Sequence, residues 1–265
     1  MRDTAVMRVA AIQLRPDYSQ TPERLRESVL NLVRRQNGAD LIVLPELWPA
    51  GGFEYDHWTE RAEPLDGPTA EALSAVAQEV GCWLHGGSIL ERTGAGDLFN
   101  TSLLFAPDGS LAATYRKIHL FGFDTGEPEL LTAGTQVMTA KTDLGTIGLA
   151  TCYDLRFPEL FRALTDAGAE LVVIPAAWPQ RRVTHWSVLL RARAIENQTL
   201  VIGCNTVGQQ GRVVLGGKSA IVDARGEVVA EAGTEPEVIT ADVDLGETRR
   251  WRTEFPVLRD RRPFD

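Results

Sequence analysis

Cys152 stands in a polar turn between a strand-like segment and a helix-like one. The apolar run 147–150 suits a buried strand, and Leu155, Leu160 and Leu164 recur at spacings that suit a helix packed back on that strand. Such a turn lifts the side chain out of the packed layer and points the amides of the first helical turn toward whatever the side chain attacks. The position therefore predicts a nucleophilic cysteine.

Two further polar side chains follow strand-like segments. Glu46 comes after the apolar run "LIVLP", and Lys117 ends a hairpin strand in "YRKIHLF". Catalytic groups of open α/β sheets gather where strands end. We expect Lys117 and the helix amides to favour a Cys152 thiolate, and Glu46 to take the thiol proton during attack. Lys117 and the backbone N–H of Tyr153 are the expected donors to an oxyanion.

Three segments in this order, "LIVLPE", "YRKIHLF" and "CYDLRFPEL", resemble the signature segments of the nitrilase superfamily of carbon-nitrogen hydrolases. The likeness continues through "GGSILER", "FNTSLLFAPDG", "HWSVLLRARAIENQ" and "FPVLRDRRP". It implies Glu46 as general base, Lys117 as oxyanion stabiliser and Cys152 as nucleophile, with no metal or organic cofactor. It also implies a supporting glutamate in "EPELLTAG", which nominates Glu127 and leaves Glu129 as the alternative.

Within that superfamily, "PAAWPQRRVTHWSVLLRARAIENQ" and "KIHLFGFDTGE" resemble the bacterial omega-amidase-like members. These act on short linear acids that carry a terminal amide, such as 2-oxoglutaramate. The resemblance implies hydrolysis of a small amide to a carboxylic acid and ammonia through a cysteine thioester. Deaminated-glutathione amidase, N-carbamoyl amino acid hydrolase and nitrilase activities stay open as alternatives. A non-catalytic interaction protein on the same fold is a further one.

Alternating strand and helix patterns occur in two series, and a hairpin follows each of them. The hairpins turn at 107–110 and 223–226. Two such α/β halves predict two sheets packed face to face with helices outside, a four-layer α-β-β-α sandwich. We expect a single carbon-nitrogen hydrolase domain over 1–265, with 1–6 as an N-terminal extension.

Composition narrows the class of protein. The chain of 265 residues is 44% hydrophobic, which suffices for one large core, and its net charge of -9 without a basic stripe argues against a nucleic-acid partner. Three distant cysteines without CxxC spacing predict neither disulfides nor a zinc site. The sequence contains no signal-peptide pattern and no membrane-spanning run, so a cytoplasmic protein is expected. A homodimer is implied by the resemblance alone.

Several residues around the predicted site have two interpretations. Trp178 is expected to line the substrate pocket with Tyr153, and core packing is the alternative for Trp178. Arg181 and Arg182 are candidates for binding a substrate carboxylate through paired hydrogen bonds, with solvent-facing side chains as the alternative.

The polar residues after Cys152 are expected to be structural. Asp154, Arg156 and Glu159 predict an ion-paired cluster that fixes the turn. His119 and His185 raise a cysteine–histidine site as the less favoured alternative.

The remaining candidates are assigned to the core. Cys82 and Cys204 lie within apolar strands, where packing explains them. The leucines and Ile195 of the predicted helix 184–197 are also expected to face the core.

Overall fold

The computed structural model describes residues 6–122 and 125–262. Its strands are β1 Val6–Gln13, β2 Leu41–Val43, β3 Trp83–Arg92, β4 Leu98–Phe105, β5 Leu111–Arg116, β6 Met138–Thr142, β7 Gly145–Leu149, β8 Leu171–Pro175, β9 Leu200–Cys204, β10 Val207–Gln210, β11 Val213–Gly216, β12 Ala220–Val222, β13 Val228–Glu231 and β14 Glu237–Asp244. The predicted extension 1–6 lies outside the described residues except for Val6, which already belongs to β1.

The helices are α1 Pro22–Arg34, α2 Trp58–Arg61, α3 Pro68–Val80, α4 Glu127–Leu130, α5 Pro158–Asp166, α6 Val183–Asn197 and α7 Leu245–Glu254. Short 3-10 helices span Tyr55–His57, Cys152–Arg156 and Gln180–Arg182. None of the helices in the described ranges combines the length and apolar character needed to cross a membrane.

Two six-stranded sheets form the centre of the molecule. Their strand orders are β14-β1-β2-β3-β4-β5 and β13-β12-β9-β8-β7-β6, and β10 and β11 form a separate two-stranded ribbon. In each sheet the inner strands run parallel, β1-β2-β3 in the first and β7-β8-β9 in the second. Parallel strands place their carboxyl ends at one edge of the sheet, where loops can converge on a site.

Apolar clusters separate four layers. In β2 and the residue after it, Leu41 and Val43 join the cluster between the two sheets, whereas Ile42 and Leu44 join the cluster beneath α1 and α3. This alternation follows from the two-residue period of a strand and explains why the whole segment is apolar. A third cluster packs α5 and α6 on the second sheet. The predicted α-β-β-α sandwich is confirmed.

Capping and turn residues mark where several elements begin and end. Thr21 caps α1, accepting a hydrogen bond from the N–H of Arg24, and Pro22 begins the helix. The helix ends at Arg34. Both predicted hairpins are present, as β4–β5 and β12–β13.

The end of β2 packs directly on β3. Gly87 has φ +71°, and a Cβ atom there would lie 2.0 Å from the carbonyl oxygen of Pro45. The hydroxyl of Ser88 accepts a hydrogen bond of 3.0 Å from the N–H of Leu47. These contacts lie on both sides of Glu46 and fix its backbone. The close approach at Pro45 requires glycine at position 87, because no side chain larger than hydrogen fits there.

The outer face of α6 exposes two large apolar side chains among polar ones. The core prediction is correct for Leu190, which is buried, and wrong for Ile195, which is 51% exposed. Val188 lies two turns earlier on the same face and is 60% exposed. Helix α6 therefore has apolar residues on both its inner and its outer side.

Candidate active site

The four predicted catalytic residues line one cavity. Glu46 follows β2, Lys117 follows β5, Cys152 follows β7, and Glu127 begins α4. β2 and β5 belong to one sheet and β7 to the other, so the cavity lies where loops of the two facing sheets meet. Each of the four side chains is buried, with Cys152 the most exposed at 7%. Distant stretches of sequence thus converge on a single enclosed site.

Lys117 is bound between two carboxylates. Its Nζ atom lies 2.8 Å from Oε1 of Glu46, 2.9 Å from Oε1 of Glu127 and 2.8 Å from Oε2 of Glu127. The ammonium has three N–H donors, so these contacts use its whole hydrogen-bonding capacity. A buried charge is tolerated when it is paired and hydrogen-bonded in this way.

The two carboxylates are also held by groups that the sequence reasoning did not identify. Asn100 Nδ2 donates to Oε1 of Glu46 at 2.8 Å and to Oε1 of Glu127 at 3.2 Å. The backbone N–H groups of Ala177 and Phe121 donate to the remaining carboxylate oxygens, at 2.8 and 2.5 Å. The only available signal for Asn100 was a polar residue inside the apolar strand β4.

The end of the cavity around Lys117 holds more negative than positive charge. Burial opposes the ammonium of Lys117, but the charges of Glu127 and Glu46 outweigh it and raise its pKa well above the ordinary value. Burial raises the pKa of Glu127 against the opposing charge of Lys117. Two carboxylates against one ammonium leave an excess negative charge next to Cys152, which disfavours a thiolate at this end of the cavity.

This charge distribution corrects the predicted thiolate. Burial, and then the negative charge of Glu46, raise the pKa of the Cys152 thiol well above its ordinary value, despite the opposing effect of Lys117. Cys152 and Glu46 line the same cavity, close enough for the carboxylate to act on the thiol. The raised pKa favours a neutral thiol in the resting enzyme, because burial and two nearby carboxylates oppose a further negative charge.

The turn at Cys152 is held in an uncommon conformation. Cys152 has φ +46°, in the left-handed region, and opens the 3-10 helix Cys152–Arg156. Asp154 is fully buried and accepts hydrogen bonds from the N–H of Thr151 at 2.9 Å and from the hydroxyl of Tyr115 at 2.7 Å. These contacts hold the backbone on either side of the strained residue.

The predicted ion-paired cluster of Asp154, Arg156 and Glu159 is wrong. Asp154 pairs instead with His119, whose Nδ1 lies 2.7 Å from Oδ1. Glu159 is exposed, and the guanidinium of Arg156 lies 4.6 Å from the ring centroid of Trp178. The Asp154 carboxylate accepts its hydrogen bonds from Thr151 and Tyr115 and pairs with His119. It therefore fixes the turn without an arginine.

Aromatic side chains form most of the remaining cavity wall. Tyr153 and Trp178, both predicted to contact substrate, line it. Phe53, Tyr55 and Phe121 complete the aromatic lining, which the sequence reasoning missed. The empty space between the walls, open mouth included, is about 360 Å³. This volume is at the small end of the range for ligand sites, which suits a small substrate.

Trp178 has both of its predicted roles, since it lines the cavity and belongs to the core cluster beneath α6. Its backbone N–H donates to Oδ1 of Asn205 at 2.6 Å, and Asn205 Nδ2 donates to the Trp178 carbonyl at 3.3 Å. Asn205 therefore fixes the loop after β8 that also supplies the Ala177 N–H to Glu46. The sequence analysis did not single out this asparagine, which directly follows β9.

Of the two predicted anion-binding arginines, the structure places one at the cavity. Arg182 lines the cavity and is half-buried, whereas Arg181 is exposed. Arg156, which was assigned only a structural role, also lines the cavity. Glu127 and Glu129 were the two candidates for the supporting glutamate. Glu127 contacts Lys117, whereas Glu129 is exposed.

The cysteine–histidine alternative has no geometric support. The ring of His119 stacks on Phe157 at 3.7 Å, lies outside the cavity lining and bonds to Asp154. His185 is exposed and lies 3.3 Å from Arg156 Nη1. Within 6–122 and 125–262, no three His, Cys, Asp or Glu side chains are grouped as metal ligands.

Comparison with known proteins identifies the family of this chain. Residues 8–253 match the model of the carbon-nitrogen hydrolases. The chain is 47% identical to 2-oxoglutaramate amidase of Paenarthrobacter nicotinovorans over 261 residues, covering 96% of this chain and 89% of that one.

Two solved structures share the fold over nearly their whole length. A CN-hydrolase superfamily protein from Xanthomonas campestris, with an arsenic adduct in its active site, superposes with a TM-score of 0.90 at 31% identity and 98% coverage of both chains. A mutant of the amidase from Nesterenkonia sp. AN1, which carries an acetamide moiety added covalently at the active-site cysteine, gives 0.82 at 27% identity, also with 98% coverage of both. This chain belongs to the carbon-nitrogen hydrolase family of the nitrilase superfamily.

Proposed function

We propose that this amidase hydrolyses the terminal amide of a short linear acid, with 2-oxoglutaramate as the type of substrate. Its membership in the carbon-nitrogen hydrolases and its similarity to 2-oxoglutaramate amidase support the reaction class. The observation that carries the catalytic assignment is the convergence of Cys152 and Glu46 on one cavity, with Lys117 buried between Glu46 and Glu127.

The first half of the reaction forms a thioester. Cys152 attacks the amide carbon while its thiol proton passes to the Glu46 carboxylate, so the sulfur gains a bond as it loses its hydrogen. The carbonyl oxygen becomes an oxyanion. Collapse of this tetrahedral intermediate breaks the carbon–nitrogen bond, and protonated Glu46 returns the proton to the nitrogen, which leaves as ammonia.

The second half restores the enzyme. Glu46 takes a proton from a water molecule as that water attacks the thioester carbon, and a second oxyanion forms. Collapse breaks the carbon–sulfur bond and releases the carboxylic acid. The Glu46 proton passes to the departing sulfur, so Cys152 returns to the thiol in which it began.

The backbone N–H of Tyr153 and the ammonium of Lys117 stabilise both oxyanions, and one Lys117 N–H leaves a carboxylate oxygen to donate to the oxyanion as it forms. The Tyr153 N–H lies in the first turn of the 3-10 helix, where amide groups have no acceptor within the helix itself. The ammonium of Lys117 adds a full positive charge in a site from which water is largely excluded. Losing one such donor typically costs about 3 kcal/mol of activation free energy.

Glu127 and Asn100 act as positioning residues. Glu127 holds two of the three Lys117 donors, which leaves Glu46 with one contact to the ammonium and a free lone pair toward the thiol. Asn100 links the two carboxylates and prevents them from moving apart. The proton-transfer geometry depends on this arrangement, because small displacements of reacting groups have large effects on rate.

We further infer that the chain is one catalytic domain over 1–265, acts in the cytoplasm and forms a homodimer. The exposed apolar side chains of Val188 and Ile195 on α6 support the homodimer, because burial against a second copy would remove them from water. Sedimentation velocity of the purified chain should give the mass of two or more copies. A sedimenting monomer at micromolar concentration would contradict this inference.

Replacing the nucleophile should abolish turnover without unfolding the protein. The Cys152→Ala variant removes a buried but small side chain, so circular dichroism and the melting temperature should stay close to those of the wild type. Ammonia release from 2-oxoglutaramate should fall below detection. Assaying a nitrile and an N-carbamoyl amino acid in parallel separates the alternative substrate classes, and retention of most amidase activity by the variant would refute the nucleophile assignment.

The two neighbouring glutamates provide a matched pair. Glu127→Gln leaves Lys117 with a single carboxylate partner and should lower kcat by about 100-fold through misplacement of the ammonium. Glu129→Gln changes an exposed side chain and should leave kcat and KM unaltered. Steady-state ammonia assays on both variants measure the difference. Equal activities in the two variants would remove the proposed positioning role of Glu127.

A further inference from the structure

One nitrogen of the Arg182 guanidinium is buried beside the cavity without a partner. The guanidinium lies 5.1 Å from the ring centroid of Phe121, and Nη2 makes no hydrogen bond to any described residue. The buried guanidinium of Arg193, in contrast, donates to the Leu155 carbonyl and to Glu196. A buried N–H without an acceptor is unfavourable. Its position in the lining of a substrate cavity indicates that a ligand oxygen supplies the acceptor.

The backbone of Arg182 is fixed in place. Its carbonyl accepts a hydrogen bond of 2.7 Å from Nε1 of Trp178, and its N–H donates to the Pro179 carbonyl at 3.0 Å. The Trp178 carbonyl in turn accepts from the N–H of Gly216 in β11 at 2.9 Å. The loop between β8 and α6 therefore presents the guanidinium from a rigid support, which lowers the entropy lost when a ligand binds.

A second arginine makes this part of the wall more positive. The Arg156 guanidinium lies over the rings of Trp178 and Tyr153, and its Nη1 lies 3.3 Å from Nδ1 of His185. Within 6–122 and 125–262 the two guanidiniums contact aromatic rings and His185, and neither forms an ion pair with a carboxylate. Burial, and then the positive charges of Arg181 and Arg156, lower the pKa of Arg182 below its ordinary value. An anion bound here would relieve that repulsion.

We propose that Arg182 binds the free carboxylate of the substrate and thereby selects monoamides of dicarboxylic acids over neutral amides of the same length. This inference rests on the proposed amidase function and adds the residue that determines specificity. A guanidinium offers two parallel N–H donors that match a carboxylate. A neutral amide would leave Nη2 of Arg182 unpaired in the complex, and sites built around such a bond discriminate strongly against substrates that lack it.

The kinetic test compares succinamate with butyramide, which has a methyl group in place of the carboxylate. In Arg182→Gln, KM for succinamate should rise by about 100-fold with kcat little changed, because the ion pair is made equally in the ground and transition states. The kcat/KM for butyramide should stay within about twofold of the wild type. Arg182→Lys should recover part of the loss, and Arg181→Gln, in the exposed neighbour, should match the wild type in both substrates.

A binding measurement makes the test independent of turnover. Calorimetric titration of succinate and of succinamate into Cys152→Ala should show binding that disappears in the Cys152→Ala, Arg182→Gln double variant. Equal losses for succinamate and butyramide, or succinate binding that survives the arginine change, would overturn the role of Arg182. Absence of ammonia release from every amide, with Arg182-dependent succinate binding retained, would instead refute the proposed amidase function and leave the anion site standing.

Discussion

The ammonium of Lys117, buried between two carboxylates, is the interaction on which the rest of the site depends. A single buried lysine would be driven toward its neutral form, and a single buried glutamate likewise. Together the three groups can stay charged because each carboxylate oxygen accepts at least one hydrogen bond, with Asn100 and two backbone N–H groups as donors besides Lys117. Burial, and then the remaining negative charge, raise the pKa of the Cys152 thiol and favour its protonated form.

The fold supplies this arrangement from its strand ends. Each carboxylate, the ammonium and the thiol come from a different segment, and the two sheets must pack face to face before the segments meet. Local features then fix the orientation of each segment. Gly87 lets β3 approach the backbone before Glu46, Asp154 holds the turn at Cys152, and Asn205 fixes the loop after β8. None of these three needs to contact the substrate to affect the reaction.

Sequence reasoning could identify the four-layer sandwich and the four polar residues because their signals are local. Apolar runs, a capping threonine and turn residues mark elements, and Glu46, Lys117, Glu127 and Cys152 lie in quoted segments that resemble a known family. The sequence analysis did not single out the edge strand β14, which pairs with β1 over its whole length, or the helix α7 that follows it. Pairing of residues more than two hundred positions apart leaves no local pattern.

Interactions across the fold explain the other misses. The thiolate prediction weighed one lysine and the helix amides, whereas the thiol is also affected by burial and by two carboxylates whose positions only the tertiary structure gives. Asn100 and Asp154 are ordinary polar residues in the sequence, and their roles follow from partners on other strands. Ile195 fits a buried stripe by spacing, but α6 covers the sheet with its opposite side.

The most direct test of this account is the ionisation of Cys152 in the resting enzyme. The ultraviolet absorbance of the thiolate, taken as the difference between the wild-type chain and Cys152→Ala during a pH titration, cancels the contributions of Cys82 and Cys204. We predict no thiolate signal near neutral pH, with ionisation only above the usual cysteine range of about 8.5. A fully formed thiolate at neutral pH would contradict the claim that Glu46 takes the proton during attack.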